Sequence, residues 1–247
     1  MKTRVLDIGN IALPGTGYPP LAAFKIPFRP QLAGAFFLGS GREVGLTDWS
    51  GKTSGAVAVG SPLWEEGYAE LSGANYLQTG VPETTFMTLV ACVRSLTNSE
   101  SAFIGGWGGP GNAGVALVRF ATNDRIAGLA GLSNDTHQTV NANGPIMNQW
   151  AICSLKVGGS NIWIENHSSG QTSGVIDYPA GLSRKISANA HPLRLGRGYT
   201  PSYVNPVQIN SALMYNASLT ITDTREAAHL VHGYAQRSLG IDIPFVT

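Results

Sequence analysis

The chain has 247 residues, of which only 13% are charged, and a formal net charge of +1. That balance provides no basic stripe for a nucleic-acid backbone and no acidic tail. With 43% hydrophobic residues, five Trp, eight Tyr and eight Phe, the composition also excludes an intrinsically disordered chain.

The 31 Gly and 14 Pro fall in many short clusters without a G-X-Y period, so they mark frequent turns between short strands and not collagen. The N-terminus MKTRVLDIGN lacks the continuous apolar stretch of a signal peptide. No run approaches the length of a membrane span, so no membrane insertion is expected. Cys92 and Cys153 sit in apolar, strand-like runs and read as two buried thiols, with a bridge between neighbouring strands as the alternative.

Residues 1–30 read as an irregular arm. Pro14, Pro19, Pro20, Pro27 and Pro30, with Gly15 and Gly17, remove backbone donors and enforce bends. Such an arm either packs along its own domain or reaches a neighbouring subunit. Residues 31–247 form one further domain. Strand patterns follow at LAGAFFLG (32–39), AVAV (56–59), two short runs around the Gly73–Ala74–Asn75 turn within 68–80, and TTFMTLVACVRSL (84–96). The last is β-branched and apolar on both alternation phases, the pattern of a central strand.

VALVRF (115–120), MNQWAICSLKV (147–157), NIWIEN (161–166), PLRLGR (192–197) and VQINSALMYN (207–216) complete the set. Gly158 and Gly159 between two of these runs signal a hairpin. Short strands without alternating helices indicate an all-β sandwich or barrel. Only one helix is predicted. Asp223 as N-cap with Glu226 three residues on fits a capping box, and Ala227, Leu230, Val231 and Tyr234 form its apolar stripe. Its end is expected between Ser238 and Gly240.

The order of these elements resembles the concanavalin A-like, laminin-G-like family of lectin and glucanase folds. The opening LAGAFFLG, the DWSG turn at 48–51 and YAELSGANYLQTGVPETTFMTLVACVR look like that family's first third. LRLGRGYTPSYVNPVQINSALMYNASLTITDTREAAHLVHGY is similar to its closing strands and short helix. The match is closest to versions found on bacteriophage and bacterial surfaces. It covers about residues 30–235, most weakly from 96 to 190, and implies a jelly-roll sandwich of two curved antiparallel sheets.

A fold of this kind hosts many tasks, so function has to be read from sites. A glycoside hydrolase needs two carboxylates facing one another. The glucanase Glu-x-Asp-x-x-Glu strand pattern is absent, and Glu65, Glu66, Glu70, Glu83 and Glu165 read as rim or surface groups. None of His137, His167, His191, His229 and His232 follows a G-x-S-x-G turn, and His229 with His232 is a poor zinc pair. GGWGGPGNAG (105–114) lacks the Lys and Ser/Thr of a phosphate loop and reads as a close-packed connection between strands.

Calcium is the cofactor to weigh, through Asn123, Asp124, Asn134, Asp135, Asn141 and Asn143, though each can equally stabilise its own turn. No other cofactor and no catalytic residue is expected. Broad aromatic faces suit sugar stacking, which singles out Trp107, Trp163, Tyr199 and Tyr203 as candidate ligand-binding residues.

Two functional readings follow. One is a non-enzymatic bacteriophage virion component of tail, fibre or capsid surface. It would assemble in the host cytoplasm from copies of itself and other virion proteins, and would contact host surface polysaccharide. The other is a carbohydrate-binding module or lectin acting alone. A polysaccharide hydrolase is a distant third.

Overall fold

The computed structural model describes residues 21–108, 113–121, 124–187 and 191–246. In chain order the elements are α1 (Leu21–Phe24), β1 (Leu32–Phe37), α2 (Arg42–Leu46), β2 (Val57–Val59), β3 (Leu63–Glu65), β4 (Tyr68–Leu71), β5 (Tyr76–Pro82), β6 (Met87–Ser95), β7 (Ser101–Gly105) and β8 (Val115–Arg119). There follow β9 (Arg125–Gly131), β10 (His137–Asn143), β11 (Ala151–Val157), β12 (Asn161–Asn166), β13 (Gln171–Thr172), β14 (Ile176–Asp177), β15 (Pro192–Leu195), β16 (Val207–Tyr215) and α3 (Ile221–Leu239).

The strands form the jelly-roll sandwich of two antiparallel sheets that the patterning and the family resemblance imply. The first sheet runs β13-β12-β11-β6-β16-β4-β3, with β1 added to β16 and β14 to β12. The second runs β10-β9-β8-β7-β15-β5-β2. β6 is central as expected, flanked by β11 and β16. On its other edge β16 is shared in tandem, by β4 over Val207 to Ile209 and by β1 over Ser211 to Tyr215. Between those stretches Asn210 bulges out of register, and its Nδ2 donates to the Gly67 carbonyl at 2.7 Å and to Ser238 Oγ at 2.6 Å. The bulge thereby ties the β3–β4 turn to the end of α3.

The strand period sorts side chains into three layers. Phe36, Leu89, Phe103, Leu117, Leu155 and Met214 fill the space between the sheets. Phe37, Val90, Ile152 and Leu213 point the other way, under α3 and the segment that contains Ala22, Ala23 and Ile26. Ala22, Ala23 and Ile26 of the predicted arm therefore pack on the domain, with Phe28 partly buried beside them, whereas residues 1–20 lie outside the described residues. A third, smaller apolar cluster covers the outer face of the second sheet.

The turn predicted at 48–51 is organised by Asp48, which is nearly buried. Its Oδ1 accepts from the Ala35 and Ser50 amides, and its Oδ2 from Ser50 Oγ, Thr53 N and Thr53 Oγ1, all between 2.7 and 2.9 Å. One carboxylate thus fastens a glycine-rich loop to β1 by charge-assisted hydrogen bonds.

The helix begins earlier than predicted. Thr220, not Asp223, is the N-cap, and its hydroxyl accepts from the Asp223 amide at 3.1 Å. Asp223 instead sits in the first turn, where its charge suits the helix dipole. The N-cap that Asp223 had suggested is thus displaced by three residues, to Thr220. The C-terminal end falls where expected, at Gly240 in the left-handed conformation with φ 66°.

Both cysteines are free and buried. Cys92 lies opposite Ile152 and Cys153 opposite Ala91, one step apart in register on β6 and β11. That step sends the two thiols to opposite faces of the sheet, Cys153 into the inter-sheet core and Cys92 under α3, so neighbouring strands do not become bridged. Burial raises both thiol pKa values, which removes the reactive thiolate. We expect a thiol reagent to label neither cysteine in the native protein and both in denaturant. Rapid native labelling of either would contradict the packing.

Candidate functional site

On the outer face of the second sheet, Ala102 (β7), Ala116 and Val118 (β8), and Ala127 and Leu129 (β9) make a floor of mostly small apolar residues. Short side chains there leave room for what stands above them. Trp107, just past β7, lies on this floor, and so does Tyr203 from the loop joining β15 to β16. Between them opens a cleft of about 440 Å³, walled by Trp107, Leu129 and Tyr203, with His137 of β10 and the polar groups of Thr200 and Ser202 at its sides.

The walls are held by backbone. The Tyr199 amide donates to the Trp107 carbonyl at 2.8 Å, and the Gly106 amide to the Val115 carbonyl at 2.8 Å. Val204 accepts from the Gly73 amide at 2.8 Å and bridges to Ser101. Tyr203 is held at φ 58°, in the left-handed region that bulky side chains rarely adopt. Such strain persists where surrounding structure over-determines it, and it recurs at ligand clamps. Burial and the charge of Glu100 push the Tyr203 phenol up to about 12, so it keeps its proton and can donate at neutral pH. His137 meets the Trp107 ring edge-on, with centroids 5.0 Å apart.

A buried ion pair lies behind the Trp107 wall. Glu83 follows β5 and pairs with Arg184, both side chains being fully enclosed. Arg184 also donates to the Gly131 and Lys185 carbonyls, and Glu83 accepts from the Ser187 amide at 3.2 Å. A Cβ at Gly106 would stand 3.2 Å from Glu83 Oε2, so the pair abuts the residue before Trp107. Burial pushes the Glu83 carboxyl up to about 7, with Arg184 and the Ser187 amide pulling against it.

Of the four aromatic candidates, the structure brings Trp107 and Tyr203 together. Trp107 is only 5% exposed, so its indole forms a wall of the cleft and does not project. Trp163 does not belong to the site. It lies buried on β12 of the other sheet, between Ile162 and Ile164, which enter the inter-sheet core, and does not line the cleft.

Tyr199 is equally unsuited to stacking. His191 covers its ring at 4.0 Å and the Arg194 guanidinium at 3.5 Å, while its hydroxyl donates to the Pro192 carbonyl at 2.8 Å. His137, Thr200 and Ser202 are the residues that patterning had not assigned to a site; only the shared loop of Thr200 and Ser202 with Tyr203 pointed toward them.

Of the residues weighed for calcium, Asn141 and Asn143 lie on β10 and not in a loop, Asn141 Oδ1 being buried without a hydrogen-bond partner among the described residues. Asp124, Asn134 and Asp135 have partners of their own. Asp124 Oδ1 accepts from the Ile146 and Met147 amides at 3.0 Å each, and Asn134 Oδ1 from Thr136. Asp135 pairs with Lys185. Asn123 lies outside the described residues. Glu165, on the first sheet, is bound by Arg225 through both oxygens at 3.0 and 3.1 Å. The two buried glutamates thus sit on different sheets, each against an arginine.

No protein-family model and no curated protein matches the chain. Solved structures do match its fold. The receptor-binding domain of botulinum neurotoxin C/D mosaic serotype superposes with TM-score 0.60 at 9% identity, over 83% of this chain and 52% of that one. The receptor-binding domain of botulinum neurotoxin type G gives TM-score 0.59 at 16% identity, over 81% and 51%. The serotype D ligand-binding domain in complex with N-acetylneuraminic acid gives 0.58 at 10%, over 84% and 52%. The chain spans about half the length of these structures, and at such identities the likeness is one of fold.

Proposed function

We propose that this chain is a non-catalytic carbohydrate-binding β-sandwich whose sugar site is the cleft between Trp107 and Tyr203. The observation that carries the reading is the make-up of that cleft: an indole and a phenol over an apolar floor, with hydroxyls and an imidazole at the sides. Pyranose rings present apolar C–H faces and a rim of hydroxyls, and such a cleft matches both surfaces. The fold neighbours lend support, since one has N-acetylneuraminic acid bound and another is described as entering cells through two ganglioside molecules. The separation of Glu83 from Glu165 supports a binding role over hydrolysis.

The other expectation, a bacteriophage virion component built as a homo-oligomer, draws no support from the cleft or from these neighbours.

Fluorescence titration of the whole chain with a broad saccharide panel tests the reading. Saturable binding is expected, and Tyr203→Ala should weaken it about tenfold, the loss of one aromatic contact plus its hydroxyl. A panel on which no saccharide binds the folded protein would overturn it.

A further inference from the structure

We infer that the saccharide taken by this cleft is acidic, its carboxylate being received by Arg194 beside the cleft with Arg197 in support. This rests on the sugar-binding reading and names the ligand class of the same site. On β5 and β15, Leu77, Leu193 and Leu195 enter the inter-sheet core, so Tyr76, Gln78 and Arg194 stand on the outer face that also carries the cleft. The loop that leaves β15 runs through Arg197 and Tyr199 directly into the cleft wall at Thr200 to Tyr203. Cations and cleft are thus parts of one surface and one loop.

The arginines are arranged for an anion that the chain itself does not supply. Arg194 is layered on aromatic faces, 3.5 Å from the Tyr199 ring centroid and 4.8 Å from that of Tyr76. Its Nε donates to Gln78 Oε1 at 2.8 Å and its Nη1 to the Gly198 carbonyl at 3.3 Å. Arg197 lies 5.3 Å over Tyr76 and donates to the Gly73 carbonyl, while its Nε is buried without a hydrogen-bond partner among the described residues. Every one of these partners is neutral, and among the described residues neither arginine forms an ion pair. Elsewhere among the described residues arginines do meet carboxylates: Arg119 lies by Asp124, Arg184 by Glu83 and Arg225 by Glu165. Glu100, the acid felt in the cleft, acts on Tyr203. Aromatic stacking holds a guanidinium fork in place before a ligand arrives, so less entropy is lost when a planar carboxylate docks.

The test is an array on which each carboxylated oligosaccharide is printed beside its carboxyl-reduced form, which keeps the sugar and removes the charge. We expect the acidic member of the bound pair to be retained about tenfold more strongly, with the preference shrinking as salt rises. Arg194→Gln should abolish the preference, so that acidic and reduced forms are retained equally. Arg194→Lys, which keeps the charge without the fork, should retain part of it, and thermal melts verify that both variants fold. Equal retention of acidic and reduced forms by the native chain overturns the inference and leaves the sugar reading standing. An acidic preference untouched in folded Arg194→Gln and Arg194→Lys also overturns it. Retention of no sugar at all overturns both.

Discussion

Replacing Arg184 with methionine is expected to lower stability at neutral pH by about 3–5 kcal/mol, the usual cost of stranding one partner of a buried ion pair. For a chain of this size that amounts to a drop in melting temperature of about 10 °C. The cause is the enclosed Glu83, which would keep the Ser187 amide but lose its cation.

The pH dependence of the variant gives a second signature. Without Arg184, burial acts on Glu83 with less opposition, and its folded pKa rises further above the unfolded value of 4.5. A raised carboxyl pKa means that the folded state holds the proton more tightly. The associated stability is therefore full below pH 4.5 and lost as pH climbs through the folded value. Arg184→Met should thus recover relative to the native chain on mild acidification. Combining it with Glu83→Gln removes the stranded charge, and the double variant should regain most of the loss at pH 7. Strictly additive losses in a double-mutant cycle followed by denaturant unfolding would mean that the two side chains do not act as a pair.

A second large effect concerns His167. Its Nε2 lies 2.8 Å from Ser154 Oγ, its side chain is fully enclosed, and its ring stacks on Phe245 with centroids 5.4 Å apart. Burial, then the charges of Arg225 and His229, hold the imidazole pKa down to about 3 against an ordinary value of 6.5. The Nδ1 atom is 3.6 Å from Glu165 Oε2, but that carboxylate is already bound by Arg225. The sign is opposite to that of Glu83 in the Arg184→Met chain. An unfolded histidine takes a proton below pH 6.5 while the folded one does not, so the contribution is complete above 6.5 and drains away as pH falls toward 3.

Between pH 6.5 and 5 the loss is roughly 2 kcal/mol from this group alone. His167→Gln, which keeps a polar partner for Ser154 and cannot titrate, should flatten that part of the stability curve. Parallel curves for native and variant chains over this interval would sink the assignment. The same region holds the C-terminus: Phe245 also lies against His229 and His232, His232 Nε2 is 2.8 Å from the Ile243 carbonyl, and the Val246 amide donates to the His167 carbonyl. Acid should therefore loosen residues 241–246 first, which amide hydrogen exchange would detect.

Patterning exposed the fold wherever strands are rich in large apolar residues. β16 is buried along its full length and β6 at every position but Arg94, and both were legible. β7, β9 and β10 were not assigned, and the reason lies in their composition. In RIAGLAG the glycines look like turn signals, yet Gly128 is small because a Cβ there would come within 2.3 Å of Leu155 Cδ1 across the sandwich. HQTVNAN is a polar edge strand that buries only Val140 and Ala142.

The site was legible by residue type and not by assembly. Trp107 and Tyr203 stand out as aromatics in loops, but their meeting depends on β7 and β15 being neighbours, which no local pattern reports. Trp163 misled because a large ring on a strand looks the same in sequence whether it faces solvent or interior. Asp48 carried its signal in plain view, as an Asp at the head of a serine- and glycine-rich turn.

The margins of the two sheets have a consequence for how the domain behaves in company. β13 and β14 are two residues each, and together they cap the outer side of β12; β2 and β3, at the far ends, are three each. A strand that short gives another chain too few free amides and carbonyls to grip, while β10, the seven-residue margin of the second sheet, meets an approaching edge with polar side chains such as His137 and Asn143, so these margins disfavour stacking edge to edge into fibrils. Exposed apolar side chains such as Val57 and Leu63 sit on these stubs, where a longer edge bearing them would invite aggregation. A domain bounded in this way can be displayed at high local density, many copies side by side, and stay dispersed.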